Sequence, residues 1–92
     1  MEQAKDDIIK LRTDNVVWRQ VADEVVMLDT SRAQYLGVNK TGAALWPLLV
    51  EGSSRSALVQ ALTEHFGIDE ATATADTDAF LSSLRELDLL TG

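Results

Sequence analysis

The chain has no cysteine. That removes disulfides, thiol catalysis and every cysteine-based zinc site at once. It also fits a reducing compartment. Histidine and proline occur once each, as His65 and Pro47. No run of about 18 apolar residues exists, so no segment is built to span a membrane. Residues 1–15 carry mixed charges and no apolar stretch of the secretory kind. The cytoplasm is the expected location. Cations are scarce: eight Lys and Arg stand against fifteen Asp and Glu, a net charge of −7. The excess is uneven, with five basic and seven acidic residues in 1–39 and three and eight in 40–92. Nucleic acid binding needs clustered cations to neutralise phosphates, and here the sign is wrong. An acidic surface favours a neutral or basic partner instead.

Catalytic constellations are missing too. His65 falls near the end of a helical segment, where it reads as a surface residue favoured by the helix dipole. Asp76 and Asp78 are two apart, so a helix points them to different sides. The glycines at 37, 42, 52, 67 and 92 are scattered and form no phosphate loop. We expect no enzyme, no metal and no cofactor.

What is present is a short chain with a core. The apolar fraction is 46%, enough for one domain over 1–92, with the polar residues 1–7 expected to fray. Ile8–Leu11 reads as a strand-like arm. Val16–Arg19 is β-branched and aromatic, hence a strand. A turn at Ala22-Asp23-Glu24 leads into Glu24–Asp29. The continuous apolar run Val25–Leu28 predicts a strand covered on both faces or placed centrally. Asp29-Thr30-Ser31-Arg32 is a hairpin turn, and Ala33–Val38 returns as the next strand.

Helices follow. Asn39 or Thr41 can cap the first, whose apolar residues are Ala44, Leu45, Leu48 and Leu49. Pro47 predicts a short or kinked helix, and Gly52 suits its end. Ser53 or Ser54 caps the second, with Leu58, Leu62 and Phe66 on one face and Gly67 as its stop. Asp69 caps the third, and Ala73, Thr77, Phe80, Leu81, Leu84, Leu87 and Leu90 mark its inward stripe. Trp18 and Trp46 read as core anchors. The sum is an α+β domain, three N-terminal antiparallel strands followed by three helices, like a winged helix-turn-helix with its sheet placed first.

Two binding functions suit that outline. As a winged-helix regulator it would lay the third helix in the major groove. Residues 69–88 hold six acidic residues against Arg85 alone, which opposes this reading. The other function is peptide capture by strand addition, in which an edge strand supplies main-chain hydrogen bonds and neighbouring side chains supply pockets. In the strand ending at Val38, Gln34, Leu36 and Val38 share one face, and Tyr35, Gly37 and Asn39 the other. Gly37 lets a second backbone approach closely. Small residues in the first half of the third helix, Ala73 and Thr77, leave room for a shallow groove bordered by Asp76. Leu36 and Val38 serve equally well as plain core.

An ordered set of segments resembles the PqqD-like family. The set is Val17-Trp18-Arg19, Asp23–Asp29, Tyr35-Leu36-Gly37-Val38-Asn39-Lys40-Thr41-Gly42, Leu45-Trp46, Leu48-Leu49 and Phe80–Leu84. These proteins are the precursor-recognition elements of ribosomally made, modified peptides. The likeness is greatest to the stand-alone members of lasso peptide pathways and covers about residues 8–90. It implies that a precursor's leader segment pairs antiparallel with the third strand, in the cleft facing the third helix. It implies a non-catalytic adaptor, serving a separate leader peptidase and a cyclase, as a monomer or weak dimer. A carrier role in a redox-cofactor pathway remains open beside it. Carried over by position, the contacts are the backbone of Gln34, Leu36 and Val38, and side chains of Tyr35, Leu36, Ala73, Asp76, Thr77 and Phe80, with Gly37 between them. Pro47 departs from the family, which more often has a helix former there.

Overall fold

Polar turns and alternating apolar residues build a meander of three strands in a computed structural model that describes residues 7–91. After a two-residue strand β1 (Ile8–Ile9) come β2 (Val16–Val21), β3 (Glu24–Asp29) and β4 (Gln34–Val38). The three longer strands form one antiparallel sheet in the order β2-β3-β4. The expectation of fraying over residues 1–7 lies, apart from Asp7, outside the described residues.

The continuous run in β3 proves central but covered on one face only. Val25, Met27 and Asp29 are buried, whereas Val26 is 45% exposed. Register then assigns the rest. Val25 lies opposite Val38, and Met27 opposite Leu36 and Trp18, so these residues share the inner face. Val17, Leu28 and Tyr35 form a cross-strand row on the outer face. The turn between β2 and β3 is two residues, Ala22 and Asp23, since Glu24 already belongs to the strand. Ala22 has φ 57°, the left-handed conformation that such hairpins demand.

Asn39 caps α1 (Lys40–Glu51), its Oδ1 accepting from the Gly42 N–H at 3.1 Å. The helix runs uninterrupted through Pro47, so the shortening that this proline predicts does not occur. Pro47 is solvent-exposed. Ser53–Ser54 forms a second short strand, β5, which pairs with β1. Ser54 caps α2 (Arg55–Phe66), and Gly67 stops it at φ 66°. Asp69 caps α3 (Glu70–Glu86).

Leu45, Leu49, Leu58, Leu62 and Leu84 are fully buried where the helices meet. Each contributes about 1.5–3 kcal/mol of hydrophobic free energy. Trp46 joins them, while Trp18 stays 39% exposed and packs edge-to-face on it at 6.0 Å. The third helix ends earlier than its apolar stripe suggests. Leu87 is the C-cap and Asp88 turns left-handed at φ 59°. Leu90 therefore leaves the helix and bridges Leu11 instead. This tail and the N-terminal arm hold each other: the Arg12 N–H donates to the Leu89 carbonyl at 2.7 Å, and the Thr91 N–H to the Lys10 carbonyl at 2.8 Å.

Candidate functional site

β4 is an edge strand, and alternate residues of an antiparallel strand turn their N–H and C=O toward opposite sides. Two observations set the parity. Thr30 N–H donates to the Asn15 carbonyl at 2.7 Å, so residue 30 points its backbone at the β2 side. The two-residue turn makes Val21 and Glu24 its closing pair, so Glu24 does the same. Even-numbered residues of β3 thus face β2, and Val25, Met27 and Asp29 face β4. Their partners Val38, Leu36 and Gln34 spend their backbone groups on β3. The free edge is left to Tyr35 and Gly37. The backbone groups of Gln34, Leu36 and Val38, expected to face a ligand, are turned to β3 instead.

Beside that edge lies a groove of about 350 Å³. Leu36, Gly37, Val38 and Asn39 form its strand wall, Thr41 and Gly42 its end at the start of α1. The helix wall is Asp76, Ala79, Phe80 and Ser83, an i, i+3, i+4, i+7 stripe of α3. This stripe is rotated one position from the buried one, Ala73, Thr77, Leu81 and Leu84.

The structure thus sorts the residues singled out from sequence. Leu36, Gly37, Val38, Asp76 and Phe80 come together in the groove. Ala73 and Thr77 are at 0% exposure beneath it, and the Thr77 hydroxyl has no hydrogen-bond partner among the described residues. Gln34 is exposed at the start of the strand. Tyr35, 76% exposed, sends its side chain to the outer face of the sheet, away from α3. Asn39, Thr41, Gly42, Ala79 and Ser83 also line the groove, although none was expected as a site residue. The pair Ala79 and Ser83, four apart and small, carries the signal that finds them. It lies one step round the helix from the apolar stripe.

Gly42 explains how close the walls stand at one end. A Cβ there would lie 2.6 Å from Val38 Cγ1 and 2.7 Å from Phe80 Cε1. Only glycine lets α1 start against both. At the other end the walls are joined by charge. Arg32 Nη2 donates to Asp88 Oδ2 at 2.8 Å, and Arg32 Nη1 to the Leu87 carbonyl at 3.3 Å. Arg12 reaches Asp29 Oδ2 at 2.8 Å and the Asp88 carbonyl at 2.9 Å. Asp29 also accepts from the Ser31 hydroxyl at 2.7 Å and the Ser31 N–H at 3.0 Å. These bonds, the Ser31 hydroxyl first and Arg12 next, hold the Asp29 carboxyl down to about 2 despite its burial.

The arrangement offers main-chain donors and acceptors, an apolar floor and one carboxylate. It suits an extended chain laid along β4. Comparison with known proteins points the same way. The family model for coenzyme PQQ synthesis protein D (PqqD) matches residues 24–90. No curated protein matches the sequence. Among solved structures, TbiB1 in complex with the TbiA(beta) leader peptide is similar at 34% identity and a TM-score of 0.79, over 90% of this chain and 95% of that one. A lasso peptide synthetase B1 complexed with its leader peptide is similar at 26% identity and a TM-score of 0.76, over 91% and 98%. With most of its length matched by the family model, and its strands and helices matched by these structures, the chain belongs to the PqqD family.

Proposed function

We propose that this protein is a non-catalytic adaptor that binds the leader segment of a ribosomally made precursor peptide. The leader adds as a further strand on the β4 edge and lays alternate side chains into the groove against α3. The single observation that carries this reading is the free backbone at Tyr35 and Gly37 beside a groove with room for side chains. Two similar proteins solved with leader peptides support it. The likeness to a lasso peptide synthetase B1 extends the proposal to lasso peptide biosynthesis. We propose further that the protein delivers its precursor to a leader peptidase and a cyclase in the cytoplasm, as a monomer or weak dimer. Among the described residues no helix is long and apolar enough to cross a membrane. The description of the family as coenzyme PQQ synthesis protein D favours a second pathway, with the same binding mode and a different precursor.

Fluorescence polarisation with labelled leaders of both kinds of precursor separates the two pathways. The cognate leader binds at micromolar Kd or tighter, about 8 kcal/mol or more. Gly37→Pro then tests the mode. It removes an edge N–H that no neighbouring strand uses, so the fold survives. Leader affinity falls about tenfold or more, through one lost hydrogen bond and a displaced backbone. Unchanged affinity in a folded Gly37→Pro protein rules out pairing at this edge.

A further inference from the structure

The groove has a direction, and one charge marks it. Three aspartates in this part of the molecule are each held by an arginine: Asp29 by Arg12, Asp88 by Arg32 and Asp78 by Arg55. Asp76 is half-buried in the groove wall and has no ion-pair partner among the described residues. Among the described residues it is also the one charged side chain lining the groove. Lys40, next to the strand in sequence, lines the cleft on the other side of α1. A partly buried carboxylate without a counter-charge is costly to desolvate further, so an incoming chain that covers it must bring a cation or a donor.

The ends of the groove set where that cation falls. Phe80 stands against Val38 and Gly42, and α3 runs on to Leu87 and Asp88 at Arg32. Asp76, one turn before Phe80, therefore lies toward the Val38–Asn39 end of β4, and the Arg32–Asp88 pair lies beyond the other. An antiparallel strand on β4 enters with its N-terminal side at Asn39 and leaves past Gln34. Along α3, Asp76 and Phe80 are separated by one helical turn, about 6 Å. Two residues of an extended chain, which point to the same face, span about 6.8 Å.

Resting on strand capture at β4, we propose that the groove selects extended peptides by charge and order. A Lys or Arg sits about two residues N-terminal to the apolar residue that packs on Leu36 and Phe80, with Asp76 as its counter-charge. The apolar residue supplies affinity and the cation fixes register. A slip by one residue would turn both side chains to the outer face. A peptide presenting the same residues in reversed order is rejected, because its cation meets Phe80 and its apolar residue meets Asp76.

A displayed library of short peptides, panned separately on the wild-type protein, Asp76→Lys and Gly37→Pro, tests this. On the wild type, Lys or Arg is enriched at one position ahead of a fixed apolar residue. On Asp76→Lys the same position turns to Glu or Asp. A selected peptide made synthetically binds Asp76→Asn about two- to fivefold more weakly at low salt, and the difference shrinks as salt rises. Selection of identical peptides by wild type and Asp76→Lys overturns the charge rule while leaving strand capture intact. If the wild type enriches nothing, or Gly37→Pro enriches the same peptides, strand capture itself fails and the charge rule with it.

Discussion

The two ends of the β4–α3 groove are closed by different physics. At the Gln34 end, strand and helix are joined by charge-assisted hydrogen bonds through Arg32, Arg12, Asp29 and Asp88. At the Val38 end they are joined by the close approach of Gly42 to Val38 and Phe80. The first closure responds to pH and salt and tolerates side-chain motion. The second responds to a single methyl group, because packed interiors have no slack. The wall spacing is therefore adjustable at one end and rigid at the other.

The rigid end breaks most visibly. Gly42→Ala places a methyl group within 3 Å of Val38 and Phe80 and costs about 1–3 kcal/mol of stability. In a domain of this size that lowers Tm by roughly 4–8 °C per kcal/mol. Pairing Gly42→Ala with Phe80→Leu returns part of the loss, and a double-mutant cycle by thermal denaturation measures the coupling. Additive effects would show that Phe80 and Gly42 do not share the space the structure gives them.

Asp29→Asn at the charged end has the next largest effect, and pH reveals it. The folded-state carboxyl is held at about 2, below its ordinary 3.8. The stability it contributes is complete above about pH 4 and is lost as pH falls through about 2. Wild type and Asp29→Asn should thus differ in Tm at neutral pH and converge over that acid interval. A gap that persists undiminished at the acid limit would assign the effect to packing.

Arg32→Ala is the mildest. Arg32 and Asp88 are both largely exposed, so their pair contributes about 0–1 kcal/mol and less in salt. Its loss should loosen the Gln34 end, raising amide exchange at Ser31–Gln34 with little change in Tm. Equal exchange in both proteins would leave Arg12 as the sole clamp.

Much of this fold was legible because its signals are local. The caps Asn39, Ser54 and Asp69 and the stop at Gly67 bound the helices from short-range chemistry. The β3–β4 hairpin follows from its polar turn residues, although the loop falls at 30–33 rather than 29–32, with Asp29 paired to Gln34. Signals that depend on distant partners were not legible. The two short strands Ile8–Ile9 and Ser53–Ser54 exist through each other, and Leu90 leaves the helix because Leu11 receives it. Of the helix-wall residues read from sequence, Asp76 and Phe80 line the groove while Ala73 and Thr77 lie buried, because apolar periodicity marks what is buried rather than what is beside it. Edge parity was not legible either, because it depends on which residues close the two-residue turn, and that pair, Val21 and Glu24, is fixed only by the register.

The mutual hold of the arm and tail has a consequence for how this fold travels. Lys10 and Thr91 are joined by a 2.8 Å hydrogen bond, so the chain enters and leaves the domain at almost one point. That point is far in sequence from the β4 edge and shares no residue with it. A host protein could carry the whole domain as an insert in a surface loop, or as a tethered head, with little strain on either. The binding edge would arrive intact as long as the splice falls outside 12–88, the stretch whose ends, Arg12 and Asp88, close the groove.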